Sequence, residues 1–339
     1  MFASFFKSKK WRFLAYAGLI CIILLNYYQT TLNVKLNEWY RTFYDMGGEI
    51  DKHTIDDFYE QMFVFLQIAL PFIVAIVIER YLTRVWVFKW REAMTFAYIT
   101  HWRKVKHDIE GSSQRIQEDI YRFTRTLEEI GVKIIYAFMT LFAFIPILWG
   151  LSSGVNIPYI KDIPGSLVWV ALVVSVGGLA ISWLVGWYLP RLEYNNQKVE
   201  AAFRKELVFA EEDKQNYGGE EKIQTLFDKL KHNYHKLFLH YLYFDTWLHT
   251  YSQVLVIVPY LIMGPGLFMK LITFGVLIQV SNAFNQVRQS FSVFTNNWTT
   301  ITELRSIYMR LSEFEKNIGY ETKLALENEE KLMEADLKE

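Results

Sequence analysis

Six stretches of this chain carry no Asp, Glu, Lys or Arg: Phe13–Val34, Gln61–Ile78, Ile134–Ile160, Ile163–Pro190, Thr246–Met269 and Leu271–Val287. A helix rises about 1.5 Å per residue, so the bilayer core requires roughly 17–25 apolar residues to cross. All six runs reach that length. One such run fits inside a large soluble protein; six in 339 residues do not. The pattern predicts an all-α membrane protein with six transmembrane helices, near 13–33, 61–79, 131–151, 165–189, 248–264 and 269–287. The sixth is short and holds several amides. The balance of 36 Lys+Arg against 36 Asp+Glu argues against a nucleic-acid binder, which needs a basic excess. A single cysteine, Cys21, excludes an intrachain disulfide framework and a multi-cysteine metal site.

Orientation follows from the basic residues. Lys7, Lys9, Lys10 and Arg12 precede the first run, which is long for a signal peptide and has no small-x-small cleavage site, so it reads as an uncleaved first span. Lys161 is the single basic residue of the 152–164 loop, and the Gly264-Pro265-Gly266 turn has none. The 80–130 and 190–247 connections are rich in Lys and Arg. The alternation predicts a multi-pass membrane protein with both termini and both long connections cytoplasmic. Pro71, Pro146 and Pro259 fall inside spans and read as kinks.

The two long connections are not loop-like. Val199–Glu212 is made largely of good helix formers, and Glu200 with Arg204 forms a favourable i,i+4 pair. The breaks are Gly111-Ser112-Ser113 and Tyr217-Gly218-Gly219. Each connection therefore reads as a helix leaving the membrane, a tight turn and a helix returning, and Leu189 to Gly218 alone spans roughly 45 Å of arm. This layout resembles the transmembrane half of an ABC exporter. The chain has no Gly-x4-Gly-Lys-Ser/Thr phosphate loop, and the 52 residues after Val287 are too few for a nucleotide-binding domain.

Three local sequences sharpen the resemblance: Glu110–Asp119 (EGSSQRIQED) at the first arm's tip, Leu189–Leu207 leaving span four, and Phe284–Phe291 (FNQVRQSF) ending span six. All three are similar to the SbmA/BacA family of bacterial inner-membrane peptide transporters, over about residues 10–315, which implies that location for this chain. The Gln-Arg-x-x-Glu-Asp element is shared with peroxisomal-type ABC transporters of fatty acyl chains. The resemblance implies a single transporter domain over 1–315, followed by an acidic tail over 316–339. It further implies a homodimer around a large cavity, importing peptides and peptide-like antibiotics on the proton gradient, without an ATPase or other cofactor. The alternatives are an ABC permease half with a separate ATPase, and a lipid-related membrane protein.

Proton coupling needs carboxylates that are partly desolvated yet reachable by water. Glu193 directly follows span four; Glu200, two turns on, shares its face about 10 Å away, while Glu206 lies on another side. Carried over from the family motif, Glu193 and Glu200 become the first relay candidates. Glu128 and Glu129, about a turn from span three, are further members, and Glu303 is a weaker one. Gln114, Arg115, Glu118 and Asp119 form the arm-tip motif, with capping and arm pairing expected of the two acids. Glu79, beside Arg80, reads as an interfacial anchor. On span six, Gln279, Asn282, Gln286 and Gln289 recur at three, four and three, one polar stripe that faces a substrate cavity or a partner helix, with Phe284, Phe291 and Phe294 on the other side. His232, His235 and His240 have metal-like spacing but read as a solvated face. No hydrolase triad, dinucleotide fingerprint or zinc motif is present, so neither an enzyme nor a metal site is expected.

Overall fold

The computed structural model describes residues 1–106, 109, 111–155 and 162–320. The acidic tail beyond Tyr320, Glu110 of the arm-tip motif and Lys161 lie outside the described residues. Among those described, all regular structure is helical. The helices are α1 (Ala3–Phe6), α2 (Arg12–Gly48), α3 (Ile55–Trp102), α4 (Ser112–Gln114), α5 (Ile120–Leu151), α6 (Ser166–Gly186), α7 (Leu189–Glu212), α8 (Glu220–Phe268), α9 (Phe274–Asn296) and α10 (Trp298–Asn317). Five of the helical stretches, those containing α2, α3, α5, α6–α7 and α8, are long and apolar enough to cross a membrane. α9 is not among them, because its amides dilute the apolar run. The chain divides into two compact units: Met1–Gly150 with Thr273–Glu339, and Leu151–Ile272.

In the first unit α2 lies along both α3 and α9. α3 starts at a capping box in which the Asp57 amide donates to the Thr54 hydroxyl and the Thr54 amide to the Asp57 carboxylate. It then runs 48 residues without a break, so the first arm is a continuation of the span. Trp90, Met94 and Tyr98, four residues apart, put one face of that extension into a core with Phe5, Ile120, Phe123, Ile307 and Phe314. Higher up, Phe63, Leu66, Leu70, Ile73 and Val77 stay exposed. An apolar surface of that length is stable against lipid or a partner helix, not against water.

Glycines set the closest helix contacts. A Cβ on Gly18 would overlap the Trp86 ring, whose Nε1 donates to the Ala15 carbonyl at 3.0 Å. A Cβ on Gly275 would overlap the Arg41 carbonyl oxygen and the Asp45 carboxylate, which accepts from the Gly275 amide at 2.8 Å. Backbone cannot swing aside as a side chain can. Gly275→Ala is therefore expected to destabilise the α2–α9 contact by about 1–3 kcal/mol, seen as a lower melting temperature of the purified protein. An unchanged melting temperature would show that the helices separate freely there.

The second unit is built on α8. α7 and α8 form an antiparallel hairpin over Leu189, Leu192 and Leu237, closed at its tip by Asp213–Gly219, where Gly218 takes φ 75°. Pro190, lacking an N–H, sits in the first turn of α7, where that donor is not needed. α6 packs on α8 through Gly186, where a Cβ would come within 2.7 Å of Phe244, and through Gly178 under the Tyr251 ring. The turn expected at Gly264-Pro265-Gly266 is not there: α8 continues through it to Phe268, and the chain turns just beyond, at Lys270, which has φ 56°. Gly266 serves close approach instead, since a Cβ would stand 2.6 Å from the Gly154 carbonyl oxygen. Pro71, Pro146 and Pro259 all lie inside helices.

Candidate functional site

In the first unit, α2, α3 and α5 enclose an open cleft of about 990 Å³. Its upper wall is amide and apolar, with Asn26, Gln29, Phe72 and Ile76. Its lower wall is charged and includes Glu79, Glu128 and Glu129. The two predicted acids are thus side by side on the cleft, each with a basic neighbour. Arg84 Nε is 3.4 Å from Glu128 and Lys133 Nζ 3.9 Å from Glu129. Glu79 differs from its expected role as an anchor paired with Arg80. It is buried, and its one hydrogen bond among the described residues comes from the Thr83 hydroxyl at 2.8 Å. Sequence reasoning missed it because Glu-Arg at a span end is common. The overlooked signal is that Glu79, Thr83 and Val87 recur every fourth residue on the buried face of α3.

The second unit carries the other relay candidates. Glu193 and Glu200 on α7 each accept a hydroxyl from α8: Tyr241 at 2.7 Å and Tyr234 at 2.9 Å. The seven-residue step on α7 is matched by a seven-residue step in the opposite direction on α8, as antiparallel helices require. Burial first, then the Glu193 carboxylate, push the Tyr241 hydroxyl up to about 12, so it remains a donor. The expected Glu200–Arg204 pair does not form among the described residues. The half-buried Glu200 carboxylate instead accepts from Tyr234, while Arg204 is exposed. Glu206 sits on the other side of α7, near the tip. Lys222 at 2.7 Å and the Gly218 amide at 3.1 Å hold its carboxyl below the usual range, so this is the member of the set whose proton affinity the fold lowers.

The arm-tip motif folds into a π-helical turn, Arg115–Asp119, with the Ile120 amide donating to the Arg115 carbonyl. The wider turn directs Asp119 into the core. There it accepts from Arg115 at 2.8 Å and, through both oxygens, from Arg310 of α10 at 2.8 and 3.0 Å. Burial pushes this carboxyl up, but the two guanidiniums outweigh it and hold it below its ordinary value. Glu118 accepts from Gln114 at 3.3 Å and pairs with Arg122 at 2.6 Å, and Arg122 also reaches Glu303 at 3.7 Å. The motif's acids tie the tip to its own helix and to α10.

The span-six stripe flanks the face that α9 turns to α2. Leu277, Val280, Ala283, Phe284 and Val287 are the buried apolar residues of α9, with Phe284 on the side away from the stripe. Gln279 is buried, Asn282 half-buried and Gln289 exposed. Gln286 donates to Asn33 at 3.4 Å, and Asn33 donates to the Tyr136 hydroxyl at 3.2 Å on the cleft wall. The stripe therefore reaches the cleft through one amide relay. Among the described residues no cluster of His, Cys, Asp and Glu could hold a metal ion, and His232 and His235 are exposed on α8.

Five long apolar helices with charged extensions define a multi-pass membrane protein. Residues 8–319 match the SbmA/BacA-like family, and the chain belongs to it. It is 24% identical over 306 residues to the Inner membrane ABC transporter ATP-binding protein YddA of Escherichia coli (strain K12), covering 84% of this chain and 54% of that protein. It is 27% identical over 312 residues to ABC transporter D family member 2, chloroplastic, of Arabidopsis thaliana, covering 88% of this chain and 42% of that one. The chain spans about half the length of the curated relatives it matches.

Proposed function

We propose that this protein is a proton-driven importer of peptides and peptide-like antibiotics in a bacterial inner membrane. It works as a homodimer around a polar cavity, α9 is the sixth crossing, and both termini are cytoplasmic. The observation that carries the reading is the set of partly or fully buried carboxylates whose partners are neutral hydroxyls: Glu79 on Thr83, Glu193 on Tyr241 and Glu200 on Tyr234. A carboxylate fixed by a cation stays charged, whereas one held by a hydroxyl can accept a proton without stranding a buried charge. Glu128 and Glu129 line the same cleft as Glu79, and their pairs with Arg84 and Lys133 are long and solvent-exposed, so they open to extend the path, and the amide stripe offers peptide backbones hydrogen bonds that demand no particular sequence.

A second reading has its own support. Relatives named as ABC transporter ATP-binding proteins make this chain comparable to a permease half served by a separate ATPase. The two readings part in proteoliposomes. With an imposed inward-acid gradient and no nucleotide, labelled peptide is expected to accumulate and a protonophore to abolish it. Accumulation only when ATP and a partner ATPase are supplied would establish the second reading, and no uptake under either condition would refute both.

A further inference from the structure

The cleft of the first unit has a cationic end that the relay does not use. Arg91 of α3 lies 4.8 Å from the centre of the Tyr121 ring and Arg125 of α5 lies 5.9 Å from it. Arg125 also donates to the Tyr121 hydroxyl at 2.6 Å. All three residues line the cleft. Basic residues on an arm are ordinary, and several here are neutralised: Arg84, Lys89, Arg115, Arg122, Lys133 and Arg310 each have a carboxylate within 4.0 Å. Arg91 and Arg125 have none among the described residues. Two guanidiniums gripping one aromatic ring, neither in a direct ion pair and both facing a cavity, form a fork for a planar anion; Glu128 and Glu129 add negative charge near Arg125 without pairing with it.

The geometry points to a binding site for the terminal carboxylate of an extended peptide, an inference that rests on the peptide-transport reading and names the feature of the peptide recognised. Along α3 the cleft runs from Phe72 to Arg91, about 28 Å of helix, which an extended peptide of about eight residues would fill. The rest of the cleft suits such a chain: its far wall is apolar and neutral, with Phe72 and Ile76 and with Asn26 and Gln29, whose amides already donate to the Ile22 and Ala75 carbonyls, and Glu79 between the two ends presents a carboxylate to an amine. The carboxylate fork and the acidic wall thus lie at different depths of one groove, so a bound peptide has a defined direction, with its carboxyl end toward the polar arm. An inorganic anion would meet the fork alone and gain nothing from the groove.

The test is equilibrium binding to the purified full chain in detergent, without a gradient, using an eight-residue Ala/Ser/Leu peptide labelled at its N-terminus with an uncharged fluorophore. The free acid is expected to bind about tenfold more tightly than the C-terminal amide, since charge-assisted bonds to the fork exist only for the acid. In Arg91→Gln/Arg125→Gln both forms should bind with the affinity of the amide, and inorganic phosphate in millimolar excess should compete weakly. Equal binding of acid and amide to the unaltered protein, or a preference that survives the double substitution, would overturn the site. If the double variant does not fold, the two single variants decide: each should narrow the preference to about threefold, and an unchanged preference in both overturns the proposal. Loss of gradient-driven uptake with the acid preference intact would sink the transport reading alone. Uptake that ignores the terminal carboxylate would sink this site alone.

Discussion

Gradient-driven uptake is expected to fall on the order of a hundredfold in Glu193→Gln/Glu200→Gln, with little change in melting temperature or dimerisation. Glutamine keeps the shape of glutamate, and its carbonyl oxygen can still accept the hydroxyls of Tyr241 and Tyr234. The α7–α8 hairpin would therefore keep both cross-helix bonds and its leucine contacts. Only the titratable proton is removed. If these carboxylates hand protons along, the step is lost however stable the fold. If they merely fasten α7 to α8, glutamine does that equally well and uptake should survive. Glu206→Gln is the internal contrast: it strands Lys222 at the hairpin tip and should act on local stability more than on uptake. Uptake at the unaltered level in the double variant would remove Glu193 and Glu200 from the mechanism.

The largest stability effect is expected at Asp119. Its side chain is 2% exposed and accepts three hydrogen bonds from two arginines, one on its own turn and one 191 residues away on α10. Asp119→Ala leaves both guanidiniums facing an apolar hole and should cost about 3 kcal/mol, the low end for breaking a buried pair because both arginines reach partly into solvent. The arginines depress the carboxyl in the folded protein. Its contribution is therefore complete above the unfolded-state value of about 3.9 and is lost as the pH falls through the lower folded value. Melting curves of the purified protein from pH 7 down to pH 3 should show the gap between Asp119→Ala and the unaltered chain persist to about pH 4 and narrow below it. Arg310→Ala should be destabilised too, and the double substitution should cost less than the two single costs added. Equal melting of Asp119→Ala and the unaltered chain at pH 7 would mean that α10 is held by its apolar contacts alone.

The membrane character, the five long apolar helices and the two helical arms with breaks near Gly111 and Gly218 were legible in the chain, because a bilayer imposes a length requirement that hydropathy and charge answer without tertiary contacts. The Gly-Pro-Gly segment misled for a local reason. Glycine permits a turn, but it equally permits close packing, and only the neighbouring Gly154 carbonyl shows which use Gly266 serves. The same holds for the carboxylates. Spacing puts Glu193 and Glu200 on one helical face, whichever partner they take, and the Arg204 partner expected from spacing yields to Tyr234, which comes from a different helix. Glu79 looked like an anchor until α3 turned it inward, and Arg91 and Arg125, 34 residues apart, share a ring only because α5 returns beside α3. Periodicity and charge are properties of the chain and can be read along it. Which acid is paired with a cation and which with a hydroxyl depends on side chains that meet across helices, and that was decided by packing alone.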